Sequence, residues 1–226
     1  MKIFKVMAFL SFLLGAFGMS AETRDWAQLD VYAEQNAEVA KLPLEQRRVV
    51  FFGNSITWNW ARFNPDFFTR NGFVGRGISG QSTYQFLVRF REDVVDLHPQ
   101  VVVINAATND VAENTHPYSE DRTFGNIRSM VELAQANGIK VVLTTTLPAA
   151  KFRWNPSIAD APQKIEALNK RLRQYAEANG IPFVNYYSAM EKDGALNPEY
   201  TADGVHPTLA GYAVMEKLIL PVLEKL

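Results

Sequence analysis

The chain has 226 residues, enough for one complete hydrophobic core and short for two. Its 47% hydrophobic and 21% charged residues describe an ordered globular protein and exclude a low-complexity or disordered one. A net charge of −1 excludes the clustered basic surface that nucleic acid demands, and the lack of cysteine excludes disulfides, thiolate metal sites, a cysteine nucleophile and a lipid-modified N-terminal cysteine.

At the N-terminus, Lys2 and Lys5 precede an apolar run from Val6 to Phe17, followed by small residues Gly18, Ser20 and Ala21 and then polar Glu22-Thr23-Arg24-Asp25. This pattern reads as a signal peptide over residues 1–20, leaving a single domain over 21–226. The run is shorter than the roughly 20 apolar residues of a membrane span. Export to the periplasm or the exterior is therefore expected, without stable membrane insertion once the segment is removed; its retention as an anchor is the alternative.

From Asp25 to Leu42, apolar residues recur at three- and four-residue steps, predicting an outer helix. Arg48-Val49-Val50-Phe51-Phe52 is a short continuous apolar run, the pattern of a strand buried on both faces. A second strand is expected over Phe73–Ile78, a helix over Thr83–Leu97 and a third strand over Val101–Ile104. A helix from about Thr123 to Asn137 stops at Gly138 before the strand Lys140–Thr144. The phrase repeats as a helix from Pro162 to Asn179, Gly180, and the strand Pro182–Asn185. A last helix follows Pro207. Strands alternating with helices imply parallel pairing through right-handed crossovers, hence an α/β/α three-layer sandwich on a five-stranded parallel sheet, whose ligands bind at the carboxyl edge.

Two segments carry chemistry on that expectation. Gly53-Asn54-Ser55-Ile56-Thr57 directly follows the first buried strand, a turn that exposes a serine hydroxyl beside backbone N–H groups able to receive an oxyanion. A serine there also suits a helix N-cap. Asp203-Gly204-Val205-His206-Pro207 stands just before the final helix; a serine needs a base, and the base works best when a carboxylate fixes its tautomer. The same Asp-Gly pair also suits a plain turn.

Four blocks taken together resemble the SGNH (GDSL-type) hydrolase family. Gly53-Asn54-Ser55-Ile56 looks like its Gly-Asp-Ser-Leu block, and Gly75-Arg76-Gly77-Ile78-Ser79-Gly80-Gln81-Ser82 resembles its second. Ala107-Thr108-Asn109-Asp110 resembles the third, and Asp203-Gly204-Val205-His206-Pro207 the fifth, all in the family's order. The resemblance implies a flavodoxin-like fold, Ser55 as nucleophile, His206 as general base and then acid, and Asp203 as its orienting carboxylate. It also implies an oxyanion hole made by the backbone N–H groups of Ser55 and Gly80 and the side-chain amide of Asn109. The reaction would pass through an acyl-enzyme without metal or organic cofactor. Asn54 replaces the block's usual aspartate, and Ala107 stands where the third block usually has glycine, which matters if the backbone there needs a positive φ.

Other residues compete for roles. His98, in Leu97-His98-Pro99, is expected at the amino end of the third strand as a turn residue. His116 lies in the loop after the third block and is a candidate substrate contact, with a surface loop as the alternative. Trp58, Trp60 and Trp154 present aromatic faces for a sugar or an acyl slot, or else cover the core. Arg76 and Arg153 are candidates for an anionic or sugar group. Three scattered histidines make a poor metal site.

The expectation is a carboxylic ester hydrolase, with a short acyl group such as acetyl on a carbohydrate or other small ester as substrate; the acetyl and carbohydrate parts come from the family resemblance, export and nearby aromatics. A lysophospholipase or thioesterase acting on longer chains is the alternative within enzymes. A non-catalytic glycan-binding module is the alternative outside them.

Overall fold

The computed structural model describes residues 25–226, so the expected signal segment lies outside the described residues. Five strands form the central sheet: β1 (Val49–Gly53), β2 (Phe73–Gly77), β3 (Val101–Asn105), β4 (Lys140–Thr144) and β5 (Phe183–Val184). Their spatial order is β2-β1-β3-β4-β5 and every pairing is parallel, with Phe51 in register with Gly75 on one side and Val103 on the other. A small antiparallel hairpin, β6 (Glu191–Lys192) and β7 (Ala195–Leu196), stands apart from the sheet.

The helices are α1 (Asp30–Val39), α2 (Ser55–Phe63), α3 (Pro65–Asn71), α4 (Thr83–Asp93), α5 (Thr108–Val111), α6 (Glu120–Ala136), α7 (Ala161–Ala178), α8 (Tyr186–Met190) and α9 (Leu209–Leu223). Because strand side chains alternate between faces, Val50, Phe52, Val102, Ile104, Val141 and Leu143 share one face and pack against α4, α6 and α7. Val49, Phe51, Val101, Val103 and Val142 point to the other and meet α2, α3, α8 and α9. Both faces are covered, which is why β1 and β3 are buried at every position. A third, smaller core around Phe152, Ile158 and Ile165 lies beneath the long segment between β4 and α7. Among the described residues no helix is long and apolar enough to cross a membrane.

The order β2-β1-β3 places the point where the chain reverses direction across the sheet between β1 and β3, so a crevice opens at their carboxyl ends. Close packing there depends on Gly77: a Cβ added to it would come within 2.2 Å of Trp58 N, so the first turn of α2 lies directly on the end of β2.

Several expected boundaries shift. The first helix runs only over Asp30–Val39, because Gln28 at φ 57° interrupts the chain before it. Trp60 and Arg76 belong to the core and not to a ligand surface. Trp60 is 2% exposed, stacked between Phe67 and Tyr212, with its indole N–H donating to Glu216 at 2.9 Å. Arg76 is buried over the Tyr32 ring and donates to Asn36 Oδ1 at 2.7 Å. Trp60→Ala is expected to lower stability by about 3–5 kcal/mol through the cavity it leaves, measured by urea denaturation; a loss below about 1 kcal/mol would contradict the packing role.

Candidate active site

Ser55 is the first residue of α2, two positions beyond the end of β1. Asn54 makes this turn: its Oδ1 accepts the Ile56 N–H at 3.0 Å and so caps the helix start. The amide that replaces the usual carboxylate therefore performs the acceptor half of its task, while its buried Nδ2 has no partner among the described residues.

His206 arrives from the other end of the chain. In the segment before α9, Gly204 takes φ 85°, a left-handed turn that glycine adopts without strain. Asp203 Oδ1 accepts the N–H groups of Val205 (2.9 Å) and His206 (2.8 Å), and Thr201 Oγ1 donates to the His206 carbonyl at 2.8 Å. The loop is thus wound around the carboxylate. Asp203 Oδ2 lies 2.7 Å from His206 Nδ1, and His206 Nε2 lies 2.8 Å from Ser55 Oγ. With Nδ1–H donating to Asp203, Nε2 keeps its lone pair for the serine hydroxyl proton.

Burial alone would raise the Asp203 carboxyl, but the N–H groups of His206 and Val205 and the imidazole outweigh it and hold the group at about 2. Asp203 is consequently ionised across all but strongly acidic conditions.

Gly80 and Asn109 face the serine from the ends of β2 and β3. Gly80 sits at φ 79°, with nothing within 4 Å of an added Cβ, so the backbone conformation and not crowding calls for glycine. Among the described residues neither the Ser55 nor the Gly80 N–H donates to a protein acceptor. Asn109 Nδ2 donates one hydrogen to the Gln81 carbonyl at 2.9 Å, which fixes the amide and leaves its second hydrogen. Ala107 adopts φ 79° just before α5, so the left-handed position usual for glycine is occupied by an alanine, at a cost of about 1–2 kcal/mol. Asp110, fully buried, accepts from the backbone N–H of Thr83 at 3.0 Å and from the hydroxyls of Thr83 and Thr123, tying α5 to the starts of α4 and α6. Its burial pushes its carboxyl upward.

A cleft of about 180 Å³ opens over these groups, lined by Ser55, Ser79, Gly80, Asn109, Asn114, Trp154 and His206. Roomier hollows lie between α7 and α8 and at the amino edge of the sheet, but neither is lined by a histidine, so size does not pick out the site. Of the three residues expected at substrate, Trp154 stands in the cleft, half-exposed, its ring 6.4 Å from that of His206. Trp58 and His116 do not line it. Trp58 is on the outer side of α2 beneath the Arg62 guanidinium at 4.2 Å. His116 turns back onto the Tyr84 ring, with Nδ1 bonded to Thr115 Oγ1 at 2.7 Å. His98 closes a turn at φ 48° near the amino end of β3. Arg153 is exposed beside a neighbouring hollow that Lys151 and Asp203 also line. Sequence reasoning missed Asn114, two residues from His116, which accepts from Trp154 Nε1 at 2.7 Å and donates to the Gly80 carbonyl at 3.2 Å. Among the described residues no cluster of His, Cys, Asp or Glu side chains gathers to hold a metal ion.

Residues 51–214, well over half of the chain, match the GDSL-like lipase/acylhydrolase family. The chain belongs to that family. It is therefore an acylhydrolase, and all four blocks read from the sequence fall within the matched span. A candidate acylhydrolase of Bacteroides fragilis has a similar crystal structure, 66% identical with a TM-score of 0.87, covering 89% of this chain and 98% of its own. A GDSL-like lipase of Bacteroides thetaiotaomicron is 61% identical with a TM-score of 0.85, covering 88% and 98%. A homolog of isoamyl acetate-hydrolyzing esterase 1 from Bos taurus is 25% identical over 209 residues, covering 81% of this chain and 84% of that protein.

The depressed Asp203 carboxyl links the site to acid stability. Its folded value lies below its ordinary value of 3.8, so its contribution is fully present above about pH 4 and is lost as pH falls through about 2. Asp203→Asn should remove this component, giving a flatter dependence of the urea midpoint on pH between about 4 and 2 than in the unaltered protein; identical slopes would contradict the assignment.

Proposed function

We propose that this acylhydrolase is an exported short-acyl esterase that removes acetyl groups from carbohydrates, with Ser55 as nucleophile, His206 as general base and acid, and Asp203 as the orienting carboxylate. The observation that carries the reading is the unbroken hydrogen-bond chain Asp203–His206–Ser55, with bonds of 2.7 and 2.8 Å, opening into one small cleft beside Gly80 and Asn109.

In this mechanism His206 Nε2 takes the Ser55 hydroxyl proton as Oγ attacks the ester carbonyl. Negative charge then develops on the carbonyl oxygen, where the Ser55 and Gly80 N–H groups and the second hydrogen of Asn109 Nδ2 receive it. Such fixed donors are each worth on the order of 3 kcal/mol in the transition state. The tetrahedral intermediate collapses as His206 gives its proton to the leaving alcohol, and the acyl group remains on Ser55. Water, deprotonated by the same imidazole, attacks the acyl-enzyme; a second collapse releases the acid and returns the proton to Ser55. Asp203 stays ionised throughout and supports the imidazolium.

The short acyl group is supported by the size of the cleft and by its lining, in which Trp154 is the single apolar side chain. The Bos taurus relative is named for hydrolysis of an acetate ester, which points the same way. The half-exposed face of Trp154 suits a sugar ring on the leaving-group side, next to His206. Export rests on the charged and apolar pattern of residues 1–20.

Nitrophenyl esters from acetyl through butyryl to palmitoyl test the reading, followed by acetate release from an acetylated oligosaccharide. Acetyl should give the highest kcat/KM, and Ser55→Ala should lose at least ~10³-fold with the fold intact. Rates that climb with chain length, at about 0.8 kcal/mol per buried methylene, would instead favour a long-chain lipase or thioesterase. Equal rates for the protein and Ser55→Ala would remove the nucleophile.

A further inference from the structure

Behind the cleft lies a fully buried cation that the proposed mechanism does not use. Arg89, on α4, is 0% exposed and pairs with Asp93 one turn on, Nη1 to Oδ2 at 2.7 Å. Its other donors go to three specific acceptors: Nη2 to the Gly53 carbonyl (2.8 Å), Nη1 to the Arg76 carbonyl (3.1 Å) and Nε to Gln81 Oε1 (2.6 Å). Gly53 ends β1 two residues ahead of Ser55, Arg76 is next to the end of β2, and Gln81 directly follows Gly80. One rigid guanidinium fork thus joins the two strand ends that carry the two backbone oxyanion donors.

Gln81, 1% exposed, extends the connection in two directions. Its carbonyl holds Asn109 Nδ2 at 2.9 Å, and its side-chain Nε2 donates to the Ala27 carbonyl at 2.8 Å and lies 3.2 Å from Gln28 Oε1. Gln85 Nε2 donates to the Trp26 carbonyl at 2.8 Å, and the Tyr32 hydroxyl donates to the Gly77 carbonyl. The segment ahead of α1 and α1 itself therefore clasp the Gly77–Gln81 loop, although they lie outside the span 51–214 matched by the family.

We infer that Gln81 and Arg89 are positioning residues for the oxyanion hole, and that residues 26–28 complete their brace; the inference rests on the esterase reading above. A buried ion pair is weak as a stability device, because desolvating two charges offsets their attraction. A fork that fixes two carbonyls and an amide is what a preorganised hole requires, since its donors stabilise the transition state only if they need not reorganise. Displacing them by about 1 Å costs on the order of 10²-fold in rate.

Steady-state kinetics on nitrophenyl acetate, with binding of phenylboronic acid as a tetrahedral anion on Ser55, test this. Gln81→Ala leaves the backbone in place and should lower kcat by about 10- to 10²-fold with KM changed less than about threefold, boronate affinity falling in parallel. Arg89→Lys keeps a cation beside Asp93 but cannot reach the Gly53 carbonyl and Gln81 Oε1 together, and should behave alike; if it fails to fold, Gln81→Ala decides alone. Asn36→Ala breaks bonds to Arg76 and Asp93 on the far side of the cluster and should lower the unfolding midpoint while leaving kcat within about twofold. Unchanged kcat and boronate affinity in Gln81→Ala, or an equal kcat loss in Asn36→Ala, would overturn the inference. An unaltered protein that hydrolyses no ester would overturn the esterase reading and this inference together; an active one with an unaffected Gln81→Ala would overturn this inference alone.

Discussion

The 2.8 Å hydrogen bond between Ser55 Oγ and His206 Nε2 joins residues 151 positions apart, and much of the architecture serves to make it. β1 delivers the serine at the centre of a sheet buried on both faces, where neither strand nor helix can shift without disturbing close packing. At the other end of the chain the histidine is fixed by a loop wound on Asp203 and anchored by α9, whose Tyr212 hydroxyl donates back to the Ile56 carbonyl at 2.8 Å beside the serine. The two halves of the site are thereby tied to each other by a second bond beside the first.

The electrostatic arrangement divides into two charges with different tasks. Asp203 is partly exposed and ionised, and divides its oxygens between the His206 imidazole and the N–H groups of its own loop. Arg89 is wholly buried, neutralised by Asp93, and spends its remaining donors on main-chain carbonyls and Gln81. One charge holds an imidazole and its loop, and the other holds two strand ends. Of the residues that line the cleft, Ser55, Ser79, Asn109, Asn114 and His206 bear polar side chains, and Trp154 supplies the one aromatic face of its rim besides the imidazole.

The sheet was legible in the sequence because a strand buried on both faces must be apolar at consecutive positions, as in Val49–Phe52 and Val101–Ile104. Helix ends at Gly138 and Gly180 were legible for a related reason: both take a positive φ after the last helical turn. The hairpin β6–β7 was not, since two-residue strands contain no alternation to detect, and only the Asp193-Gly194 turn marks it. At the site, Ser55, Gly80, Asn109 and His206 of the four blocks line one cleft, with Asp203 behind the imidazole, but side-chain direction separated the remaining guesses. Residues two apart on a helix point about 200° apart, so Trp58 and Trp60 were never able to share a pocket; one faces solvent and the other the core. In the loop after β3, Asn114 and not His116 faces the cleft, and nothing in the local sequence distinguishes the two. Arg89 carried no signal either, because a basic residue on a helix reads as solvated until its acceptors are seen.

The account stands on Ser55 being activated by His206, and the most direct test is covalent. Treatment of the intact protein with a fluorophosphonate, followed by intact mass and peptide mapping, should place a single adduct on Ser55, with labelling strongly slowed in His206→Ala. A folded protein that takes no adduct, or an adduct mapping to another serine, would contradict it.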